Sequence, residues 1–125
     1  MAVLTIRIDF DPHGRVGPGK IELLETIART GSISAAGRAM EMSYRRAWGL
    51  VDELSQIFGQ PVVASQSGGK HGGGAQLTPF GEELVSRYRA IERVTAAAAK
   101  PHLDVLQGHL RAELETPAEP ATKAS

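Results

Sequence analysis

Four consecutive residues combine a hydroxyl, a phenol and two guanidinium groups: Ser43, Tyr44, Arg45 and Arg46. A guanidinium group can donate two parallel hydrogen bonds to O6 and N7 of guanine, or to a phosphate. Because successive residues on a helix point about 100° apart, we expect one arginine to reach bases and the other to hold the DNA backbone. Two adjacent arginines alone are more typical of a solvated helix face, so the surrounding elements decide the interpretation.

Those elements predict a helix-turn-helix. Ser32 and Ser43 are suitable N-caps, the first for a short helix over Ile33 to Met40 and the second for a longer helix that ends at Gly59. A short helix followed within a few residues by a longer one is the spacing of this motif, whose second helix places its first turn in the major groove of DNA. The short helix is rich in small residues that let another helix approach closely: Ala35, Ala36, Gly37 and Ala39.

A β-hairpin is predicted directly after the longer helix, which makes the motif a winged one. Two extended segments, at 61–66 and 75–78, enclose a glycine-rich loop that carries Lys70 and His71. The loop does not fit a phosphate-binding P-loop, because Ala64 stands where the first glycine is needed and no serine or threonine follows Lys70. As a wing tip it could lie along the minor groove or the phosphates. An ordinary solvated hairpin loop is an equally good interpretation for Lys70.

The segment before the helix-turn-helix is predicted from its apolar periodicity. Residues 3–10 alternate as a strand, a turn follows at 11–14, and a helix then ends at Gly31. The buried face of the strand is predicted to consist of its alternate apolar residues, Leu4, Ile6, Ile8 and Phe10.

A long helix begins at Pro79, after a threonine N-cap. Pro101 is expected to kink or end it, so we divide the chain into a DNA-binding domain at 1–100, a helical extension at 101–115 and a disordered tail at 116–125. Apolar residues in the long helix recur in alternating steps of four and three, as in a coiled-coil seam, which predicts a dimer contact. The seam consists of Leu84, Tyr88, Ile91, Thr95 and Ala98.

The composition of the chain excludes several classes of protein and site. The chain has 125 residues, which suits one domain, and it has no cysteine for disulfides or thiolate metal sites. Its fourteen basic residues balance fourteen acidic ones, yet residues 26–51 hold four arginines and one acidic residue, a local positive patch. No apolar stretch is long enough to span a membrane and the N-terminus does not suit a signal peptide, so we expect a cytoplasmic protein.

Three further residue types are given structural interpretations. Trp48, the single tryptophan, is predicted to pack and to support the placement of its helix. The histidines lack the spacing of paired metal ligands on a helix, and no nucleophile stands with a base. We therefore expect neither a metal site nor a cofactor nor an enzyme, and a nucleotide-binding enzyme would rest only on the failed P-loop match.

With these residues in hand, the sequence resembles the N-terminal DNA-binding domain of the molybdate-responsive ModE regulators, relatives of the LysR-type winged helix domains. The likeness covers roughly residues 16–92. Its most specific part is Met-Ser-Tyr-Arg-Arg-Ala-Trp at 42–48, whereas Gly-Ser-Ile-Ser-Ala-Ala at 31–36 is shared more widely with LysR-type domains. Further matching segments are Gly17 to Leu24, Leu50 to Leu54, Gly68 to Lys70 and Leu77 to Gly81.

The resemblance implies a homodimeric transcriptional regulator whose long C-terminal helix supplies much of the dimer contact. It also implies that residues 43–46 lie at the groove and that the wing at 68–74 touches DNA. ModE regulators continue into small β-barrel domains that bind molybdate, and residues 93–125 have neither the strands nor the length for one. We therefore do not expect direct molybdate binding.

The resulting prediction is a mainly α protein with a small β-hairpin wing (α+β), a winged helix-turn-helix with a long C-terminal dimerisation helix. Its expected function is sequence-specific regulation of transcription, as a homodimer on an inverted-repeat operator in double-stranded DNA. The alternative is a winged helix protein–protein interaction module without DNA binding. The predicted DNA contacts are Ser32, Ser34, Ser43, Tyr44, Arg45, Arg46, Lys70 and His71.

Overall fold

The computed structural model describes residues 2–66 and 74–111. Its internal contacts form two compact units, Thr5–Arg93 and a second that contains residues 2–4 and 94–111 of the described chain. The fold is mainly α with a small hairpin wing, as predicted, and it has a second small antiparallel hairpin at the N-terminal end. In chain order the elements are β1 (Ile8–Phe10), β2 (Gly14–Val16), α1 (Pro18–Thr30), α2 (Ile33–Ala39), α3 (Tyr44–Phe58), β3 (Val63–Gln66), β4 (Gly74–Leu77) and α4 (Pro79–Gln107).

The helix-turn-helix forms through the two predicted N-caps. The hydroxyl of Ser32 accepts the amide hydrogen of Ala35 at 2.9 Å, and that of Ser43 accepts the amide hydrogen of Arg46 at 3.0 Å. These bonds satisfy backbone donors that the first turn of a helix leaves unpaired. Glycines in the left-handed region end the flanking helices, Gly31 after α1 and Gly59 after α3, also as predicted.

Gly37 determines how closely α2 and α3 approach. A Cβ atom at this position would lie 3.1 Å from the carbonyl oxygen of Met42 and 3.5 Å from Cβ of Ala47. The amide of Met42 in turn donates to the carbonyl of Gly37 at 2.9 Å. The prediction that small residues allow close helix packing is therefore confirmed at Gly37 and at its buried neighbour Ala36.

The N-terminal segment differs from its prediction. The strand covers only Ile8–Phe10 and pairs with Gly14–Val16, which the sequence analysis did not recognise as a strand. Leu4 and Phe10 are exposed, so the predicted buried face is wrong at both ends. The reason is tertiary: the hairpin packs through Gly14, where an added Cβ would lie 2.8 Å from the side chain of Ile57 in α3.

The core of the Thr5–Arg93 unit is built around α1. Four of its side chains are completely buried, and they pack with the inner face of α3 and with the start of α4. Burial of one such aliphatic side chain contributes about 1.5–3 kcal/mol to folding. The four residues of α1 are Ile21, Leu23, Leu24 and Ile27.

The stem of the wing is tied to the start of α4. The hydroxyl of Thr78 donates to the carbonyl of Pro61 at 2.8 Å and accepts the amide hydrogen of Gly81 at 2.9 Å, which confirms it as the N-cap. The amide of Thr78 donates to the carbonyl of Val62 at 3.0 Å. Gly81 lies so close to this segment that an added Cβ would stand 2.1 Å from the carbonyl oxygen of Val62.

Helix α4 continues through Pro101 to Gln107, so the prediction that Pro101 could end it is wrong. Proline removes one backbone donor, but strong helix formers precede it and Lys100 pairs with Asp104 one turn later at 3.0 Å. None of the described helices is long and apolar enough to cross a membrane.

Two residues of the predicted dimer seam belong to the core of their own chain. Leu84 is 9% exposed and Tyr88 is 1% exposed, and the hydroxyl of Tyr88 donates to the carbonyl of Ile6. The prediction of a dimer contact is therefore wrong for both, because the first turns of α4 pack on the N-terminal segment and α1. Farther along the helix, Ile91 is 39% exposed, Thr95 is half-buried and Ala98 is exposed.

An ion pair joins α4 to α1. The guanidinium of Arg89 donates to both carboxylate oxygens of Glu25, at 2.9 and 2.7 Å, and also to Glu92 at 2.6 Å. The hydrogen bonds from Arg89 hold the pKa of Glu25 below its ordinary value of 4.5, although burial acts in the opposite direction. A lowered pKa means that ionised Glu25 stabilises the fold above pH 4.5, and that this contribution is lost as the pH falls through the lowered value.

We expect Glu25→Gln to lower the free energy of unfolding by about 0.5–1 kcal/mol at pH 7, since the pair is partly exposed and screened by solvent. Urea unfolding at pH 7 and at pH 3 measures the effect, which should shrink at the lower pH. The matched control is Glu83→Gln, which removes an exposed partner of Arg87 at 3.5 Å and should change little. A Glu25→Gln effect of the same size at both pH values would contradict this account.

We expect Gly81→Ala to lower the free energy of unfolding by about 1–3 kcal/mol, because the new methyl group would collide with the backbone of Val62. Gly19→Ala is the control, since a Cβ there meets nothing within 4 Å. Urea unfolding of both variants gives the comparison. Equal free energies of unfolding for the Gly81→Ala and Gly19→Ala variants would show that the close contact between the wing stem and α4 does not limit the residue at position 81.

Candidate nucleic-acid interface

The first turn of α3 presents its side chains to solvent. Tyr44 is 56% exposed, and Ser43, Arg45 and Arg46 are also exposed. In residues 2–66 and 74–111, no carboxylate lies within ion-pair distance of either arginine. The first turn of α3 contains no acidic residue, so the partial positive charge of the helix N-terminus adds to that of the guanidinium groups.

The two arginines lie on different sides of α3, as the 100° spacing requires. Arg46 lines a concavity of about 720 Å³ beside the N-terminal hairpin. Three other basic residues, Arg7, Arg15 and Lys20, line the same concavity. Arg7 pairs with Asp9 at 2.9 Å and Lys20 pairs with Glu53 at 3.0 Å. Within the described part of the chain, Arg15 and Arg46 are the basic residues of this concavity that have no ion-pair partner.

The other side of α3 faces the wing. A concavity of about 310 Å³ separates α3 from β3 and β4. Its lining includes Ser34 from the first turn of α2, Tyr44 and Trp48 from α3, and Ser65 from the wing stem. The first turns of α2 and α3 and the base of the wing therefore border one shared surface.

Trp48 does not pack as predicted. Its side chain is 50% exposed, in contrast to the completely buried Ala47 beside it. The helical phase explains the difference, because residue 48 follows Tyr44 by one turn on the wing side, whereas Ala47, Val51 and Leu54 form the buried face. The phase was available from the sequence, but the general preference of tryptophan for burial outweighed it.

Two of the remaining predicted contacts, Ser32 and Ser34, lie at the start of α2. Ser32 is half-buried and uses its oxygen as the N-cap of α2, which leaves the hydroxyl hydrogen for another acceptor. Ser34 is exposed and accepts a hydrogen bond from Arg38 at 3.1 Å. Lys70 and His71, at the predicted wing tip, lie outside the described residues.

Gly49 is a residue that sequence reasoning missed. It lies in the middle of α3, next to Trp48 and one turn after Arg45, and a Cβ atom there would meet nothing within 4 Å. Its backbone is not in the left-handed region that favours glycine. Packing within the described protein therefore does not require glycine at this position.

Comparison with known proteins agrees with this geometry. The family described as bacterial regulatory helix-turn-helix protein, lysR family, matches residues 19–82, just over half of the chain. The molybdenum-pterin-binding protein MopB of Rhodobacter capsulatus is 50% identical over 78 residues, which are 62% of this chain and 29% of that protein. The molybdenum transport protein ModE of Azotobacter vinelandii is 39% identical over 85 residues, or 68% of this chain and 32% of that protein.

Among solved structures, VV2_1132, a LysR family transcriptional regulator, has a TM-score of 0.49 and 18% identity, over 63% of this chain and 26% of that one. The chain thus spans about a third of the length of the two curated relatives. The match at residues 19–82 includes all of α1 except its first residue, the whole helix-turn-helix, both strands of the wing stem and the start of α4. The expected likeness to ModE proteins is confirmed, and the chain belongs to the lysR family of bacterial regulatory helix-turn-helix proteins.

Proposed function

We propose that the Thr5–Arg93 unit binds double-stranded DNA sequence-specifically and regulates transcription. The observation that carries the proposal is the exposed start of α3, where Arg45 and Arg46 have no ion-pair partner among the described residues. Arginine is the side chain that most often specifies guanine in the major groove. A free guanidinium pair at the start of the second helix of a helix-turn-helix has the chemistry and the position that groove recognition needs.

In this proposal one side of α3 contacts the bases and the other contacts the DNA backbone. Tyr44 and Arg45 lie toward the outer and wing-facing sides, where base edges are within reach of the first turn. Arg46 lies beside Arg15 on the side of the N-terminal hairpin, where a phosphate of the DNA backbone would be neutralised. Ser34 and the hydroxyl hydrogen of Ser32 would add neutral phosphate contacts at the first turn of α2.

We further propose that the protein acts as a homodimer on an inverted repeat. The exposed part of α4, represented by Ile91, Thr95 and Ala98, supports a contact between two copies, and Leu84 and Tyr88 are no longer part of it. Two-fold symmetry would place the half-sites about one helical turn apart, or a multiple of it. The names of the relatives refer to molybdenum, and direct molybdate binding is not part of this proposal.

A second candidate function is a protein-interaction module without DNA binding. It is favoured by an apolar concavity of about 190 Å³ between β1, the end of α3 and α4. Phe10, Phe58, Phe80 and Ile91 line it. Titration with mixed-sequence duplex DNA at low salt separates the two functions, because phosphate contacts make the affinity depend steeply on salt and a protein-interaction module would show no such binding.

We expect Arg45→Ala to weaken binding to a preferred duplex by about 1–3 kcal/mol and to relax specificity at one base pair, as the loss of a bidentate contact requires. Arg46→Ala should weaken binding to all sequences alike and flatten the dependence of log affinity on log salt by about one unit. Fluorescence anisotropy with a duplex selected from a random library measures both.

Arg87→Ala is the matched control, because Arg87 is an exposed arginine in the same unit that pairs with Glu83 on α4. It should leave the affinity unchanged. Wild-type affinity in the double variant Arg45→Ala, Arg46→Ala would refute the assignment of the interface.

We expect the protein to sediment with twice the monomer mass of 13.3 kDa. Ile91→Glu should shift it toward the monomer, since a carboxylate buried in an apolar contact has no partner. Val3→Glu, a change of the same kind at a highly exposed residue, is the control. A wild-type monomer, or an Ile91→Glu dimer as tight as the wild type, would contradict the proposed contact.

A further inference from the structure

The outward face of α3 carries an exposed aromatic ring where a soluble helix ordinarily carries polar groups. Arg45, Trp48 and Asp52 follow one another in steps of three and four, so they share one face of the helix. This face borders the buried stripe of Ala47, Val51 and Leu54, and Val51 lines the same concavity as Trp48 and Asp52. Half of the surface of Trp48 remains in water there, which forgoes much of the stabilisation that burial of an indole ring gives.

Gly49, which follows Arg45 by one turn of α3, is a second sign of an external contact at this exposed part of the helix. Glycine in the interior of a helix lowers its stability relative to alanine. Neither the backbone angles nor the surrounding atoms of the described chain require it, since a Cβ would meet nothing within 4 Å. A glycine at such a position leaves room for a ligand to approach the helix backbone closely.

The charge around Trp48 limits what that approaching group can be. The carboxylate of Asp52 lines the same concavity as Trp48 and stands one turn farther along the helix. A negative charge there repels a phosphate, so the DNA backbone is a poor occupant of this part of the surface. The edge of a base pair is neutral, and in the major groove its apolar group is the 5-methyl group of thymine.

We propose, building on the DNA binding proposed above, that Trp48 determines sequence specificity by apolar contact with thymine 5-methyl groups in the major groove. Arg45 supplies the polar contact one turn earlier, and Gly49 lets the backbone of α3 approach the base edges. The exposed part of α3 thus combines the guanidinium group of Arg45, the indole ring of Trp48 and the space that the missing side chain of Gly49 leaves for a base edge. It favours a half-site that contains thymine beside the base pair contacted by Arg45.

Replacement of thymidine by deoxyuridine tests this proposal, because it removes only the methyl group and keeps base pairing. The probe is a duplex selected from a random library by the wild-type protein, compared with the same duplex synthesised with deoxyuridine. Wild-type affinity should fall about three- to fivefold for each methyl group in contact, the value of one buried carbon group. Trp48→Ala should bind the thymidine duplex about tenfold more weakly and should no longer distinguish it from the deoxyuridine duplex.

Val3→Ala is the matched control, because it shortens an exposed apolar side chain outside α3, and it should keep the wild-type preference for thymidine. A Trp48→Ala protein with the wild-type ratio of the two affinities would overturn the proposal, and so would a wild-type protein that binds both duplexes equally. In both cases DNA binding itself would stand. Failure to select any duplex would instead overturn the proposed function, and this inference with it.

Gly49→Ala separates the proposed role from a merely structural one. Alanine should raise the urea midpoint of unfolding, because it favours the helix and meets no atom of the described chain. The same variant should bind the selected duplex about tenfold more weakly, since the methyl group would occupy the space of the base edges. A stabilised variant with unchanged affinity would overturn the close approach of α3 at this residue.

Discussion

The close contact at Gly37 is the constraint on which the geometry of the candidate nucleic-acid interface depends. The peptide backbones of α2 and of the turn before α3 approach so closely there that even a methyl group on Gly37 would be crowded, and the amide of Met42 closes the turn by a hydrogen bond to the carbonyl of Gly37. Glu41 takes a left-handed conformation within that turn. The N-cap bond of Ser43 then starts α3 immediately after the contact. The direction of α3, and with it the direction of each exposed side chain in its first two turns, follows from this packing.

The surrounding elements hold the helix-turn-helix in place through contacts of different kinds. A hydrogen bond joins the backbone of the wing stem to the C-cap of α1, where the amide of Ala75 donates to the carbonyl of Gly31 at 2.8 Å. Gly81 brings the start of α4 against the same stem. Apolar burial around α1 stabilises the fold more than the Arg89–Glu25 pair does, because solvent screens that pair. Among the exposed residues of α3, Glu53 pairs with Lys20, whereas Arg45 and Arg46 have no ion-pair partner in the described chain and remain available to an external ligand.

Local signals allowed the helix-turn-helix to be predicted from the sequence, since Ser32, Ser43 and the glycines after α1 and α3 act on their own backbone neighbours. Features that depend on distant partners were not predictable in the same way. The second strand of the N-terminal hairpin exists because Gly14 packs on Ile57, and Tyr88 is buried because its hydroxyl meets the N-terminal segment. At the candidate interface the charged residues were predictable from their type, and the exposure of Trp48 could have been predicted from its helical phase. The open space beside Gly49 became evident only from the three-dimensional structure.

We propose that the exposed start of α3, supported by the first turn of α2, is the surface that contacts DNA. Nuclear magnetic resonance of the isotopically labelled chain during titration with a short duplex tests it most directly, because every described backbone amide outside the prolines reports its own environment. The account predicts that the largest shift changes fall on residues 43–49 and on the first turn of α2. Changes confined to the apolar concavity around Phe10, Phe80 and Ile91, with residues 43–49 unaffected, would contradict it.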